Sequence, residues 1–421
     1  MPMPTPAHSS IPPEQAGAPP RPEPVLETMR DRLEESARFP VREGMIQLNN
    51  GSYGCCPAVV GDAQAHLRAR LEADPVHFFK RDLERLCDDA RAALSHFVGA
   101  PPEDLALVPN GTFAVSTVLR NLDLQPGDGI LITDHEYMAS MNELHALCAR
   151  TGAELQIARI PFPEVDEQTV IDAVLGAATG STRVALISHI TSASALILPV
   201  ERIVPTLKSR GVRVILDGAH TPGQIPLDIE SLGVDWYAAS CHKWLATPKG
   251  TGFVYAAPEH QARFKPLALS CRVHETRGDR APFLCDFDYV GTNDYTGNLV
   301  IPVAIEHMGA QLRGGWDALY RRNHELVIEG AAIVREALGV KSTTPESMIG
   351  SMAGVPIPGG RVPGSLYDDA LWDALYTRHN IQVPVWEIPG VHPRTMRLSA
   401  QLYNTIEDFE RLAKALRAEL R

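Results

Sequence analysis

Two side chains set 26 residues apart, Asp217 and Lys243, carry the chemistry most legible in this sequence. Asp217 closes the apolar run of VRVILDGAH, and Lys243 follows the apolar run of DWYAASCHKWL. If the two runs are strands of one parallel sheet, both side chains emerge at its carboxyl edge, where such sheets gather ligands. A Lys amine forms an imine with an aldehyde, and a carboxylate keeps a heterocyclic nitrogen protonated so that the ring draws electrons. Partial burial beside a cation lowers the amine's pKa and keeps it reactive. The pair suits pyridoxal 5'-phosphate (PLP), held as a Schiff base on Lys243. Taken singly, each residue has an ordinary reading: Lys is mostly a solvated surface residue, and Asp after a strand commonly makes a turn.

The surrounding elements support that geometry. From about residue 60 to 256, apolar runs of strand length alternate with helical periodicity, the pattern of a mostly parallel α/β sheet flanked by helices. Strands are expected at Leu105–Pro109, Gly129–Thr133, Glu154–Ile160, Arg183–Ile190, Val212–Asp217, Trp236–Cys241 and Gly252–Ala256, and helices at Pro57–Glu72, Leu83–Val98, Val115–Asn121 and Val200–Arg210. A last helix is expected from Thr405, where Thr405 and Asp408 fit a capping box. The expected organisation is a disordered Pro-rich tail over 1–38, most evident up to about Pro24, and a segment 39–60 that packs with the small domain. A large domain follows over 61–298, then a small α+β domain over 299–421.

DGAH together with SCHKWL resembles the class V aminotransferase family of fold-type I PLP enzymes. LNNGSYG, VPNGTFAV, TDHEYMA, SHITSASALILPV, DYVGTNDYT and RLSAQLYNT follow in that family's order, and the set is most similar to the isopenicillin N epimerase branch. The resemblance implies a PLP site in which Lys243, Asp217 and His220 are catalytic, His220 bonding the ring's phenolic oxygen with Ser192 nearby. It implies that Gly111, Thr112, Ser240 and His242 cradle the phosphate, the first two at a helix N-terminus, and that Tyr137 lies against the ring face. It further implies that Gly291 and Thr292 reach the phosphate of a neighbouring subunit in a homodimer with shared active sites. Arg397 is expected to grip the substrate's α-carboxylate bidentately, with Arg394 a poorer second and Asn50 on the substrate side.

Loss of the α proton to the freed Lys243 amine leaves three outcomes open. A proton returning from the opposite face gives epimerisation, expulsion of a β substituent gives lyase chemistry, and protonation at the cofactor gives transamination. The resemblance favours an amino-acid epimerase; a carbon–sulfur lyase on cysteine-like substrates and a PLP-binding protein without turnover are the alternatives. Desulfurase chemistry needs a nucleophilic Cys shortly before the carboxylate-binding Arg, and NIQVPVWEIPGVHPRTMRLS contains none.

Composition narrows the partners. The 421 residues carry a formal net charge of −12 and no Lys/Arg block, which argues against nucleic acid and anionic membranes. Seven Cys lack metal-ligand spacing, so no metal is expected and the thiols read as reduced in a cytoplasmic setting. The N-terminus lacks the apolar core of a secretory signal, and no apolar run approaches the roughly 20 residues of a membrane helix. The expected partner is a small amino acid.

Overall fold

A computed structural model describes residues 24–273, 277–341, 344–388 and 394–420. Among the described residues, twelve strands follow in chain order. They are β1 (Ile46–Gln47), β2 (Leu105–Val108), β3 (Gly129–Thr133), β4 (Glu154–Ala158), β5 (Thr182–Ser188), β6 (Arg213–Asp217), β7 (Trp236–Ser240), β8 (Gly252–Ala256), β9 (Met352–Pro356), β10 (Ile381–Gln382), β11 (Val385–Glu387) and β12 (Arg394–Ser399).

Seven of them form one sheet in the order β2-β8-β7-β6-β5-β3-β4, in which β8 alone runs against its neighbours. The chain therefore folds as an α/β fold-type I architecture, with a large mixed, mainly parallel sheet and a smaller C-terminal α+β part. Alternate residues of the central strands serve opposite faces. Leu131, Ala185, Ile187, Val214 and Leu216 enter one core cluster, while Ile130, Ile132, Val184, Leu186 and Ile215 enter the other. Burial on both faces is why these strands read as nearly unbroken apolar runs.

The parallel strands β2, β3, β5, β6 and β7 end on one edge, and the segments that leave them build the site. The helix after β2 begins at Gly111 rather than at Val115, because the Asn110 side chain accepts from Phe113 N at 2.8 Å and caps it. The C-terminal part joins the antiparallel sheet β11-β12-β9 to the parallel pair β1-β10. Its core packs the helices Gly315–Leu338 and Ile406–Glu419, and the expected capping box of Thr405 and Asp408 is present.

One expectation needs correcting. Residues 1–23 lie outside the described residues, but 24–38 are not a disordered stretch. Val25–Thr28 form a helical turn and Arg30–Arg32 a 3-10 turn. Val25 and Met29 are buried against Val59, Val60 and Leu67. The Pro-rich composition stops short of these apolar anchors.

Candidate active site

Lys243 emerges three residues beyond β7, and its Nζ lies 3.0 Å from His220 Nε2. His220 follows β6 and is buried, and its Nδ1 faces Trp244 Nε1 at 3.5 Å. An indole N–H can only donate, so Nδ1 is the acceptor and the proton of the neutral imidazole sits on Nε2. That proton points at Lys243, whose amine must then accept it. The electrostatics agree: loss of solvent, with Arg397 adding to it, lowers Lys243 to about 7, and burial followed by the Lys243 charge holds His220 well below its usual range.

Asp217, the last residue of β6, is buried. Its oxygens accept from Ala219 N at 3.0 Å and from Ser140 Oγ at 3.2 Å. Among the described residues no cation pairs with it, and burial pushes its pKa up. A buried carboxylate in that condition is stabilised as the anion by a cation placed against it.

The floor of the site is a close approach of three segments. Gly111 N donates to Ser240 Oγ at 3.0 Å, and a side chain on Gly111 would meet Ser240 Oγ at 3.0 Å and Ala219 Cβ at 3.1 Å. Thr112, Ser240, His242, Asp217, His220, Lys243, Tyr137 and Ser192 line one cavity of about 460 Å³. Tyr137 is 46% exposed at its mouth. His242 Nδ1 lies 3.2 Å from Thr251 O, and burial lowers its pKa to about 4, so it is neutral.

Arg397 on β12 is 1% exposed. Its Nη1 donates to Ser192 O at 2.8 Å, its Nη2 donates to Asn49 Oδ1 at 3.1 Å and Ser52 Oγ at 2.9 Å, and its guanidinium carbon lies 4.8 Å from the Trp386 ring centroid. No described carboxylate pairs with it, and its Nε has no partner. A buried guanidinium held only by neutral acceptors is poised for an anionic ligand. Arg394, by contrast, is spent on buried Asp369, with its Nε donating to Oδ2 at 2.8 Å.

One substrate-side expectation falls elsewhere. Asn50 does not line the cavities; its amide donates to Lys243 O at 3.2 Å and accepts from Tyr403 Oη at 3.0 Å, so it holds the lysine's backbone. The adjacent Asn49 and Ser52 reach Arg397 in its place. Gly291 and Thr292, expected to serve a neighbouring subunit, do not line the cavity of Lys243; Gly291 O accepts from Tyr295 Oη at 2.6 Å and Thr292 Oγ1 lies 3.2 Å from Tyr289 Oη. Ser192 lines the same cavity as His220 and also accepts from Arg397 Nη1 through its carbonyl. Sequence reasoning also passed over Glu136, which burial raises to about 7. Both its oxygens are taken: Oε1 by Thr133 Oγ1 at 2.7 Å and Ser188 N at 3.2 Å, Oε2 by Ser188 Oγ at 2.6 Å.

A neutralised amine, an uncompensated buried carboxylate, a glycine cradle and an unpaired arginine are the complement of an aldehyde-bearing, cationic, phosphorylated ring and a carboxylate substrate. The Aminotransferase class-V pattern matches residues 49–342. The chain belongs to that family. It is a PLP-dependent enzyme acting on an amino-acid substrate.

The chain is 31% identical over 400 residues to the isopenicillin N epimerase of Streptomyces clavuligerus, covering 92% of this chain and 98% of that protein. It is 28% identical over 403 residues to the L-cysteine desulfhydrase of Arabidopsis thaliana, covering 89% and 87%. In fold it is similar to a cystine C-S lyase solved with its reaction product cysteine persulfide, with a TM-score of 0.76, 21% identity, and 90% and 99% of the two chains covered. The resemblance to the epimerase branch is thus one of two, and this class V aminotransferase is related to both desulfhydrases and epimerases. No described helix is long and apolar enough to cross a membrane.

Proposed function

We propose that this enzyme is a carbon–sulfur lyase that removes the β substituent of a cysteine-like amino acid. The observation that carries this reading is the Lys243 amine, neutralised by burial at the cavity, with the other buried titratable groups around it held in place. The amine is brought to about 7, whereas Glu136 is fixed by donors on both oxygens and His220 and His242 are held neutral by burial. Epimerisation needs an acid on the far face as well; elimination needs one base that gives its proton to the departing sulfur. Relatives named for cysteine desulfhydrase activity support the same choice.

PLP bonded to Lys243 supplies the electron sink that makes the substrate's α proton acidic. Asp217 would hold a proton on the ring nitrogen. Gly111, Thr112, Ser240 and His242 would hold the phosphate at the start of the helix Gly111–Arg120, Tyr137 would pack against the ring, and His220 would donate to the phenolic oxygen. Gly291 and Thr292 serve the partner's phosphate in a homodimer. Arg397 binds the α-carboxylate and so fixes the α proton toward Lys243. The Lys243 amine, freed when the substrate's amine takes its place, would take that proton and pass it to the sulfur as the Cβ–S bond breaks, so that a thiol departs. The three-carbon enamine then consumes one water to give pyruvate and ammonia, with no net oxidation. None of the described cysteines lines the cavities, so the sulfur leaves as a free thiol rather than as an enzyme persulfide.

Incubation of the holoenzyme with L-cysteine and S-alkyl-L-cysteines tests the proposal. Pyruvate, ammonia and thiol in equal amounts are expected. Recovery of the D-amino acid without pyruvate would replace it by the epimerase reading, which the likeness to the Streptomyces clavuligerus enzyme favours.

A further inference from the structure

The guanidinium of Arg397 takes its orientation in part from a turn far from it in the chain. Among the described residues, Nη1 bonds only to Ser192, to the carbonyl at 2.8 Å and to Oγ at 3.4 Å. Ser192 belongs to the turn 191–196 that follows β5, and that turn does not hold its shape unaided. Ala195 sits at φ 62°, in the left-handed region that a residue with a Cβ occupies only under strain. The turn also leans on the rung that carries the arginine. Gly354 pairs with Arg397 across β9 and β12, and a Cβ on Gly354 would lie 2.5 Å from Ser194 O.

What fixes the turn is a chain of buried polar groups that the reaction itself does not use. Thr191, Ser194 and His135 are all 2% exposed or less. Two acceptors face His135 Nε2, Ile160 O at 3.0 Å and Asp134 Oδ1 at 3.9 Å, so that nitrogen carries the proton. Burial lowers the His135 pKa, which leaves the ring neutral and Nδ1 an acceptor. Ser194 Oγ therefore donates to Nδ1 at 2.6 Å and accepts from Thr191 Oγ1 at 2.7 Å. Thr191 Oγ1 in turn accepts from Leu196 N at 2.8 Å, and Thr191 N donates to Leu196 O at 2.9 Å, which closes the turn around Ser192.

We infer that His135 and Ser194 are positioning residues for the α-carboxylate site: they hold the strained turn 191–196 so that Ser192 O aims the Arg397 fork. The inference rests on the reading of Arg397 as the carboxylate's anchor and is independent of whether the enzyme eliminates or epimerises. Removal of Ser194 Oγ leaves buried His135 Nδ1 without its donor and releases the turn. A bidentate pair needs both guanidinium donors in line, so recognition of the carboxylate falls while recognition of the substrate's amine does not.

The test pairs L-2-aminobutyrate, which has a methyl in place of the cysteine thiol and nothing to expel, with propylamine, the same chain without the carboxylate. Apparent Kd values are read from the change in the holoenzyme's visible absorbance. In Ser194→Ala the affinity for aminobutyrate is expected to fall about tenfold, with that for propylamine unchanged. His135→Leu is expected to match it, and His135→Asn, whose amide oxygen can accept in place of Nδ1, to recover most of the loss. Equal weakening of both compounds in Ser194→Ala would mark a general loss of packing and overturn the inference, as would wild-type affinities in that variant. Arg397→Lys separates the two readings. Loss of aminobutyrate affinity there, with none in Ser194→Ala, leaves the anchor standing and removes only its support; no loss in Arg397→Lys sinks the anchor and the inference with it.

Discussion

Trp244 and Lys243 are consecutive in the chain, yet they approach opposite nitrogens of one imidazole, at 3.5 Å and 3.0 Å, so the indole N–H dictates that His220 donates to the lysine amine. A lysine that accepts is a neutral lysine. The depressed pKa and the hydrogen-bond polarity are two expressions of one burial.

The first prediction concerns pH. With Lys243 lowered from 10.5 to about 7, the reactive neutral amine increases as pH rises through 7 and is nearly complete above 8. The rate at which apoenzyme captures PLP, followed by visible absorbance, is expected to rise through that window and then level off. Trp244→Phe removes the donor that fixes His220, and the midpoint is expected to move up. A wild-type rate still climbing between pH 9 and 10 would rule out the neutral amine.

The two arginines of β12 should fail in different ways. Arg394→Met strips the partner from buried Asp369 and is expected to cost about 3–5 kcal/mol of stability, read by denaturant unfolding. Arg397→Lys keeps the charge but loses the fork, and the affinity for α-carboxylate substrates is expected to fall about 10- to 100-fold with a smaller change in unfolding. Unaltered affinity in that variant would remove Arg397 from the substrate site.

Asp217→Asn keeps the shape of the β6 terminus while removing the charge proposed to hold the ring nitrogen's proton. Exchange of the substrate's α proton in deuterated water is expected to slow on the order of 100-fold or more, with PLP still bound. Exchange at the wild-type rate would show that the carboxylate is not required.

Gly54 packs against the backbone that presents the lysine. Its φ is +69°, and an added Cβ would lie 2.0 Å from His242 O and 2.7 Å from Lys243 O. Gly54→Ala is therefore expected to lower stability by about 2 kcal/mol or more and to weaken PLP retention, both measurable by thermal unfolding with and without cofactor.

Much of the sheet was legible because strands buried on both faces leave bounded apolar runs; Gly129–Thr133 and Gly252–Ala256 match their expected limits. The Gly111 helix start was hidden because apolar periodicity begins only at Val115, while the cap is a side-chain hydrogen bond of Asn110. Spacing could not tell Asn49 from Asn50 in LNNGSYG. The turn that follows gives one to Arg397 and the other to the carbonyl of Lys243. Arg397 was preferred to Arg394 through the family's pattern, and β12 supplies the physical reason, since an offset of three on a strand puts the two on opposite faces. The partners of Arg397 were not, since Asn49 and Ser52 lie more than three hundred residues earlier and only the tertiary fold brings them in.

The attachment point is open to a direct measurement. Borohydride reduction of the holoenzyme turns the imine into a stable amine, and peptide mapping then locates the pyridoxyl group. It is expected on Lys243 alone, with the visible imine band lost in Lys243→Ala. A label on Lys249 or another lysine, or an unchanged band in that variant, would contradict the assignment.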